Sequence, residues 1–298
     1  MADAPALPAP ARPSRRRGPW LTVAAKLLAV PQAAFGVVVI AIVVLCALLA
    51  PWIVPYDPQA MDFSQMMAGI TPKHLLGSDR MGRDTLSRLM VGSQTALIVS
   101  LGAVGIGVVL GAPLGLVSVY FRGWADDVIM RIMDALVVFP SLLVAVGLAA
   151  VMGSSLGTVI LAIGIANVPW MARIVRSQGL AVREQDFVAA AEAGGLSRLR
   201  IMAHHILPNS IAPLIVQATL SMGYAVLTEA ALGFIGVGVQ PPTPTWGNML
   251  QQAFSLLQQQ PLLSVVPGVA IFLLVLAFNF VGDALRDVLD PRMKGVIH

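Results

Sequence analysis

The chain reads as an all-α integral membrane protein, and three observations predict it. Of its 298 residues, 57% are hydrophobic and only 11% are charged, against about 25% charged in an ordinary soluble domain. Mean hydropathy is +0.82. The apolar residues also fall in blocks close to the ~20 residues with which a helix crosses ~30 Å of hydrocarbon, rather than in the short alternating segments of an outer-membrane barrel.

Taken in order, residues 1–19 are rich in Pro, Ala and Arg and have no periodic apolar face. Such a segment buries too little surface to order itself and is expected to be a disordered cytoplasmic tail, ahead of a single transmembrane domain over residues 20–298. Arg15, Arg16 and Arg17 precede an apolar run, as in a secretory signal, but the run from Ala34 to Val54 exceeds the roughly 7–15 residues of a signal core. It is predicted to be an uncleaved first span. The single cysteine, Cys46, lies within it and is expected to be a packing residue, so no disulfide framework is built.

Five further spans are predicted over Ala96–Tyr120, Leu136–Met152, Leu156–Val175, Ile211–Val237 and Leu262–Gly282. The third and fourth are separated only by Gly153, Ser154 and Ser155. One unbroken helix there would be about 60 Å long, twice the hydrocarbon thickness, so a tight turn is expected. The segment over residues 55–94 is expected outside the cell. Within it Asp79 precedes Arg83 by four residues and Asp84 precedes Arg88 by four, a spacing that predicts an exposed ion-paired helix with Leu86, Leu89 and Met90 as its apolar stripe. Pro241, Pro242 and Pro244 predict a stiff turn that leaves Trp246 at the membrane interface.

Lysine and arginine set the orientation, because cytoplasmic loops retain positive charge. With six spans, one side collects Arg12, Arg15, Arg16, Arg17, Lys26, Arg122, Arg131, Arg173, Arg176, Arg183, Arg198, Arg200, Arg286, Arg292 and Lys294, which is 15 of the 19 basic residues. Both termini and the loop over residues 177–209 are therefore expected in the cytoplasm. The net charge of +4 reflects this topology and is no reason to invoke nucleic acid.

That loop carries the most function. Phe187 to Glu192 is built of helix formers, with Phe187, Val188, Ala190 and Ala191 as a small apolar face, suited to a groove on another protein. Gly194 and Gly195 supply a left-handed helix exit, and Ser197 is placed to cap a second helix from Arg198 to Leu207. Pro208 then opens the fifth span without losing a needed hydrogen bond. The pattern predicts two short helices acting as a lever on a membrane helix, with a soluble partner pushing on the first.

Here the sequence resembles the membrane-spanning permeases of ABC importers of the peptide/nickel class, and within it the second permease of dipeptide and oligopeptide systems. The family's cytoplasmic signature is EAA, three residues, Gly, then a short helix ending in LP. This chain has Ala189, Ala190, Ala191, Gly195 and Leu207-Pro208, with Ala189 where the signature has glutamate. Further matches are APWIVPYDP (Ala50–Pro58), LGSDRMGRDTLSRL (Leu76–Leu89), VQPPTPTWGNML (Val239–Leu250) and FNFVGDALRDVLDPR (Phe278–Arg292). The resemblance implies the type I importer fold in a bacterial inner membrane. It also implies a homologous second permease, two ATP-hydrolysing subunits holding ATP and Mg, and an external solute-binding protein. The region from Asp186 to Arg200 would be inserted into one ATPase, and the cargo would be a dipeptide, an oligopeptide or a related small solute such as a nickel chelate or glutathione.

The residues agree with a non-enzymatic subunit. A phosphate-binding loop needs glycine before its lysine, and Lys26, Lys73 and Lys294 follow Ala25, Pro72 and Met293. No HExxH or GxSxG occurs, and no cofactor or metal site is expected in this chain. Glu229 lies within the fifth span, where an ionisable group is costly. It would either border the route of a cationic or zwitterionic solute or bond neighbours such as Thr228 at a helix interface. Gln217, Tyr224 and Asn279 are further candidates for the route, with interhelical hydrogen bonding as the alternative reading.

Overall fold

Prolines and glycines, more than hydropathy, decide where the helices begin and end. A computed structural model describes residues 19–289, so the tail expected over residues 1–19 lies outside the described residues except for Pro19, which begins a helix. The chain runs as α1 (Pro19–Ala29), α2 (Pro31–Ile53), α3 (Thr85–Phe121), α4 (Gly123–Val138), α5 (Ser141–Met152) and α6 (Leu156–Arg183). It continues as α7 (Asp186–Ala193), α8 (Arg198–Ile201), α9 (Leu207–Phe234), α10 (Trp246–Phe254) and α11 (Leu262–Leu289). Five stretches are long and apolar enough to cross a membrane: α2, α3, α6, the run Arg198–Phe234, and α11.

The third predicted span is not a straight helix from Leu136. The α4 and α5 pair together passes as one apolar stretch but is bent by 86°. Pro140 is the cause: it excludes the α conformation for Phe139, whose φ −80° and ψ 122° are extended. The bend separates α4, which carries Asp126, Asp127, Arg131 and Asp134, from the chargeless α5. At about 18 Å, α5 is too short to cross hydrocarbon alone. The tight turn expected before α6 is present, with Gly153 at φ +79° and the Ser155 hydroxyl accepting from Thr158 N–H as a cap.

The segment over residues 55–94 also departs from expectation. Residues 79–84 form a turn closed by a bridge between Ser78 and Asp84, and α3 then runs unbroken from Thr85 into the predicted second span. Arg83, Asp84 and Arg88 are buried, so the anticipated exposed helix does not exist. The Asp79–Arg83 pair forms at 2.6 Å. The other four-residue pair does not, because Asp84 caps α3 through Ser87 and binds His74 at 2.8 Å. Trp246 is likewise interior, 2% exposed, with its indole N–H donated to the Leu89 carbonyl at 3.0 Å. Gly92 makes room for it, since a Cβ there would lie 2.7 Å from the Trp246 ring. Cys46 is half-buried.

The bundle is held by close backbone contacts. Gly107, Gly111 and Gly115 line one face of α3 at four-residue spacing, and a Cβ on Gly115 would lie 2.5 Å from the Ala172 carbonyl of α6. Small residues at this spacing let helices meet without a hydrophobic driving force in lipid. α9 occupies the middle, packing against α3, α6 and α11, with Ala225 and Leu232 buried beside Val99 and Ile163. Along α2, Val38, Ile42, Leu45 and Leu49 stay exposed, a stripe that suits lipid contact.

Candidate functional site

The polar loop singled out above folds as an elbow at the end of the bundle that carries Arg122, Arg176, Arg183 and Arg198. α6 ends at Arg183, and α7 starts after Gln185 with Asp186 in its first turn, where a carboxylate favours the helix N-terminus. α7 closes with both bonds of a Schellman motif: Leu196 N–H to the Ala191 carbonyl at 3.2 Å and Gly195 N–H to the Glu192 carbonyl at 3.0 Å. Gly195 adopts φ +75°, the left-handed conformation predicted for it.

The second helix differs from its expected form. α8 ends at Ile201, and Met202–Ile206 forms a π turn leading directly into α9. Pro208 accounts for this: it has no N–H to give to the preceding turn, and the wider i→i+5 register, with Leu207 N–H on the Met202 carbonyl, carries the chain past it. Ser197 occupies the cap position, but its side chain makes no capping bond. Its carbonyl accepts from Ile201 N–H at 3.0 Å instead. α8, the π turn and α9 thus form one continuous run.

The apolar face expected on α7 is divided. Val188 is buried against Val119, Ile201 and Ile206, with Ala191 and Leu196 at the rim of the same cluster. Phe187 is 46% exposed, and Ala189, Ala190 and Glu192 are also exposed. Successive helical residues point about 100° apart, so Phe187 and Val188 cannot serve one surface. α7 is therefore seated on the bundle by Val188 and Ala191 and offers Phe187, Ala189 and Ala190 outward.

Arg183 and Arg176, which help hold the elbow, were not anticipated as site residues; Arg198, expected in the coupling loop, joins them. Arg183 donates from Nη1 to the Val119 and Tyr120 carbonyls at 2.8 and 3.0 Å, filling orphan acceptors at the end of α3. Its guanidinium and that of Arg198 lie 5.2 and 5.3 Å from the Tyr120 ring centroid, within cation–π range. Beside them Arg176 grips Asp126 with two bonds, 2.7 and 2.6 Å, which ties α4 to α6. Their basic character was legible, but nothing local to the sequence names partners 50 or more residues away.

The route candidates are not gathered in one place. Tyr224 is exposed on α9, its hydroxyl 3.1 Å from the Ser141 hydroxyl at the start of α5. Gln217, seven residues earlier on the same face, donates to the Ser221 hydroxyl at 3.3 Å, and Asn279 is half-buried on α11. Glu229 points elsewhere and is 1% exposed; its Oε1 has no hydrogen-bond partner among the described residues. Thr228 does not serve it, since that hydroxyl donates to the Tyr224 carbonyl at 2.8 Å.

Comparison with known proteins agrees with this architecture. Residues 103–295 match the family described as binding-protein-dependent transport system inner membrane component. Residues 18–72 match the N-terminal transmembrane domain of oligopeptide transport permease C. The chain is 40% identical to the dipeptide transport system permease protein DppC of Alkalihalophilus pseudofirmus, covering 99% of this chain and 97% of that one. It is 39% identical to the glutathione transport system permease protein GsiD of Escherichia coli O6:K15:H31, over 95% and 94% of the two chains. In fold it is similar to the MetNI methionine ABC transporter in an inward-facing conformation, with TM-score 0.58 and 20% identity over 69% of this chain and 98% of that chain. An elbow seated on a bundle of five long apolar stretches and one bent pair, matched by a family model over most of the chain's length, makes this chain a member of the binding-protein-dependent transport system inner membrane components, the permeases of ABC importers.

Proposed function

We propose that the chain is one permease of a heterodimeric importer that carries dipeptides, oligopeptides or a related small solute into the cytoplasm of a bacterium. Both termini and the elbow lie on the cytoplasmic side of the inner membrane, as the distribution of arginine supports. An external solute-binding protein delivers cargo to a gap between this chain and a homologous second permease. Two separate ATPase subunits hold ATP and Mg, one of them receiving α7. The names of the relatives at about 40% identity, a dipeptide and a glutathione permease, favour a peptide-like cargo.

The observation that carries this reading is the division of α7 into a seated face and an offered face. Phe187, Ala189 and Ala190 are exposed at the tip of a turn-capped helix, where small side chains let another backbone approach closely. Force applied there passes through the Schellman turn and along the unbroken run from Arg198 to Phe234, which moves α9 at the centre of the bundle. Rocking of this kind between outward-open and inward-open states delivers alternating access. Gln217, Tyr224 and Asn279 border the route, and Glu229 shapes α9 beside it.

The test is assembly. Ala190→Trp and Phe187→Asp are expected to abolish co-purification of the ATPase subunits and peptide-stimulated ATP hydrolysis, while membrane insertion and pairing with the second permease persist. ATPase bound in the normal amount to both variants would refute the docking role.

A further inference from the structure

A cavity of about 20 Å³ lies at the opposite end of the molecule from the elbow, between the start of α3 and the α10–α11 junction. Asp79, Arg80, Thr85, Arg88, Gln252 and Leu256 are among its lining residues. A single water needs roughly 10–15 Å³, so the space suits one water or one monatomic ion. Two buried donors in the lining lack partners: Arg88 Nη2 and the Thr85 hydroxyl. Arg88 is 1% exposed and Thr85 2%, so bulk solvent does not serve them.

Charge decides between the two occupants. Arg88 places Nε 3.7 Å from Asp79 Oδ2 and Nη1 3.4 Å from the Pro58 carbonyl, both long contacts. Asp79 is the one acid in the lining, and it is already engaged. Arg83 Nε donates to its Oδ2 at 2.6 Å, and the Met81 and Arg83 amides donate to its Oδ1 at 2.8 and 3.0 Å. The next acid, Asp84, is committed to His74 and to the cap of α3. Arg83 and Arg88 therefore share one carboxylate, Asp79, while Arg80 at the rim bonds the Ser255 hydroxyl. A water would accept from the free N–H but leave the guanidinium charge with only its long contact to an Asp79 shared with Arg83, a costly condition for a buried cation. A metal cation would be repelled by Arg80 and Arg88.

We propose that this cavity binds one small monatomic anion, chloride under ordinary conditions, held by Arg88 and Thr85. The anion accepts the two orphan donors, neutralises Arg88 and locks the start of α3 to the α10–α11 junction.

The probes are chloride and bromide. The full chain in its assembled transporter is unfolded thermally in chloride and in gluconate at equal ionic strength. The midpoint is expected to rise by several degrees in chloride, and bromide should substitute. Crystals grown in bromide should show one anomalous peak in the cavity of each chain, a readout that needs no variant. Arg88→Gln should abolish the halide dependence and Thr85→Val should weaken halide binding several-fold, while Arg286→Gln, exposed on α11, leaves both readouts intact. Equal midpoints in chloride and gluconate, a cavity filled by water alone in bromide, or a halide effect that survives Arg88→Gln would each overturn the site.

Discussion

The two ends of this permease are held by different physics. At the end that carries Asp79 to Arg88, the charged side chains of Arg83, Asp84 and Arg88 are buried in a network of polar contacts that, among the described residues, leaves only Arg88 Nη2 and the Thr85 hydroxyl without a partner there. His74 meets Asp84 at 2.8 Å, Asp84 accepts from both the amide and hydroxyl of Ser87, and Arg83 reaches from Asp79 to Gln252 of α10 at 2.7 Å. At the other end, α7 rests on the small apolar cluster of Val119, Val188, Ile201 and Ile206, steadied by Arg183 on two carbonyls. A network of buried polar groups is costly to open anywhere and so behaves as one block. An apolar seat is non-directional and lets a short helix shift without stranding a charge. The contrast suits the proposed lever, in which the anchored end would stay put while the elbow moves.

Three changes break or sharpen that contrast. The largest effect belongs to Asp84→Ala, which strands His74, removes the cap of α3 and leaves the Ser87 groups unpaired. Removing one partner of a buried pair costs about 3–5 kcal/mol. Denaturant unfolding in detergent should therefore show a lower midpoint at unchanged slope. A loss below about 1 kcal/mol would mean that the network is not a block. Next comes Gly195→Val, at φ +75°. Forcing a β-branched residue into the left-handed region costs about 1–2 kcal/mol. The expected result is a modest loss of stability with ATP hydrolysis uncoupled from uptake, since the chain direction after α7 must change. The smallest is Ser197→Ala. An ordinary capping serine contributes about 1 kcal/mol, but this one makes no side-chain capping bond, so stability should hold within a few tenths of a kcal/mol. A full capping loss on the same denaturation curve would show that the elbow is tied more tightly than its apolar seat.

Much of this was readable in the residues, and the misses have specific causes. The apolar blocks marked α2, α6, α9 and α11 because a span is a property of local composition. Gly195 announced its turn because only the left-handed conformation satisfies the carbonyls there. The bend at Pro140 was available in principle, since the residue before proline avoids the helical region. Hydropathy concealed it, because Leu136–Met152 is apolar on both sides of the break. The exposed helix predicted from Asp79 to Met90 failed for a different reason. The i,i+4 rule assumes that nothing else competes, and here His74 competed for Asp84.

What the sequence alone determined is the material: an all-helical membrane chain, its basic side, the elbow and the family to which it belongs. These follow from composition, from backbone rules acting over a few residues, and from short motifs. Only the tertiary structure decided which face of α7 is seated and which is offered. It also decided that Trp246 and Glu229 are interior, and that Arg88 faces a cavity with a free donor. Each of those depends on a partner distant in sequence, such as Trp246 on Leu89, 157 residues away. Burial is a property of the assembled packing, and no local pattern encodes it.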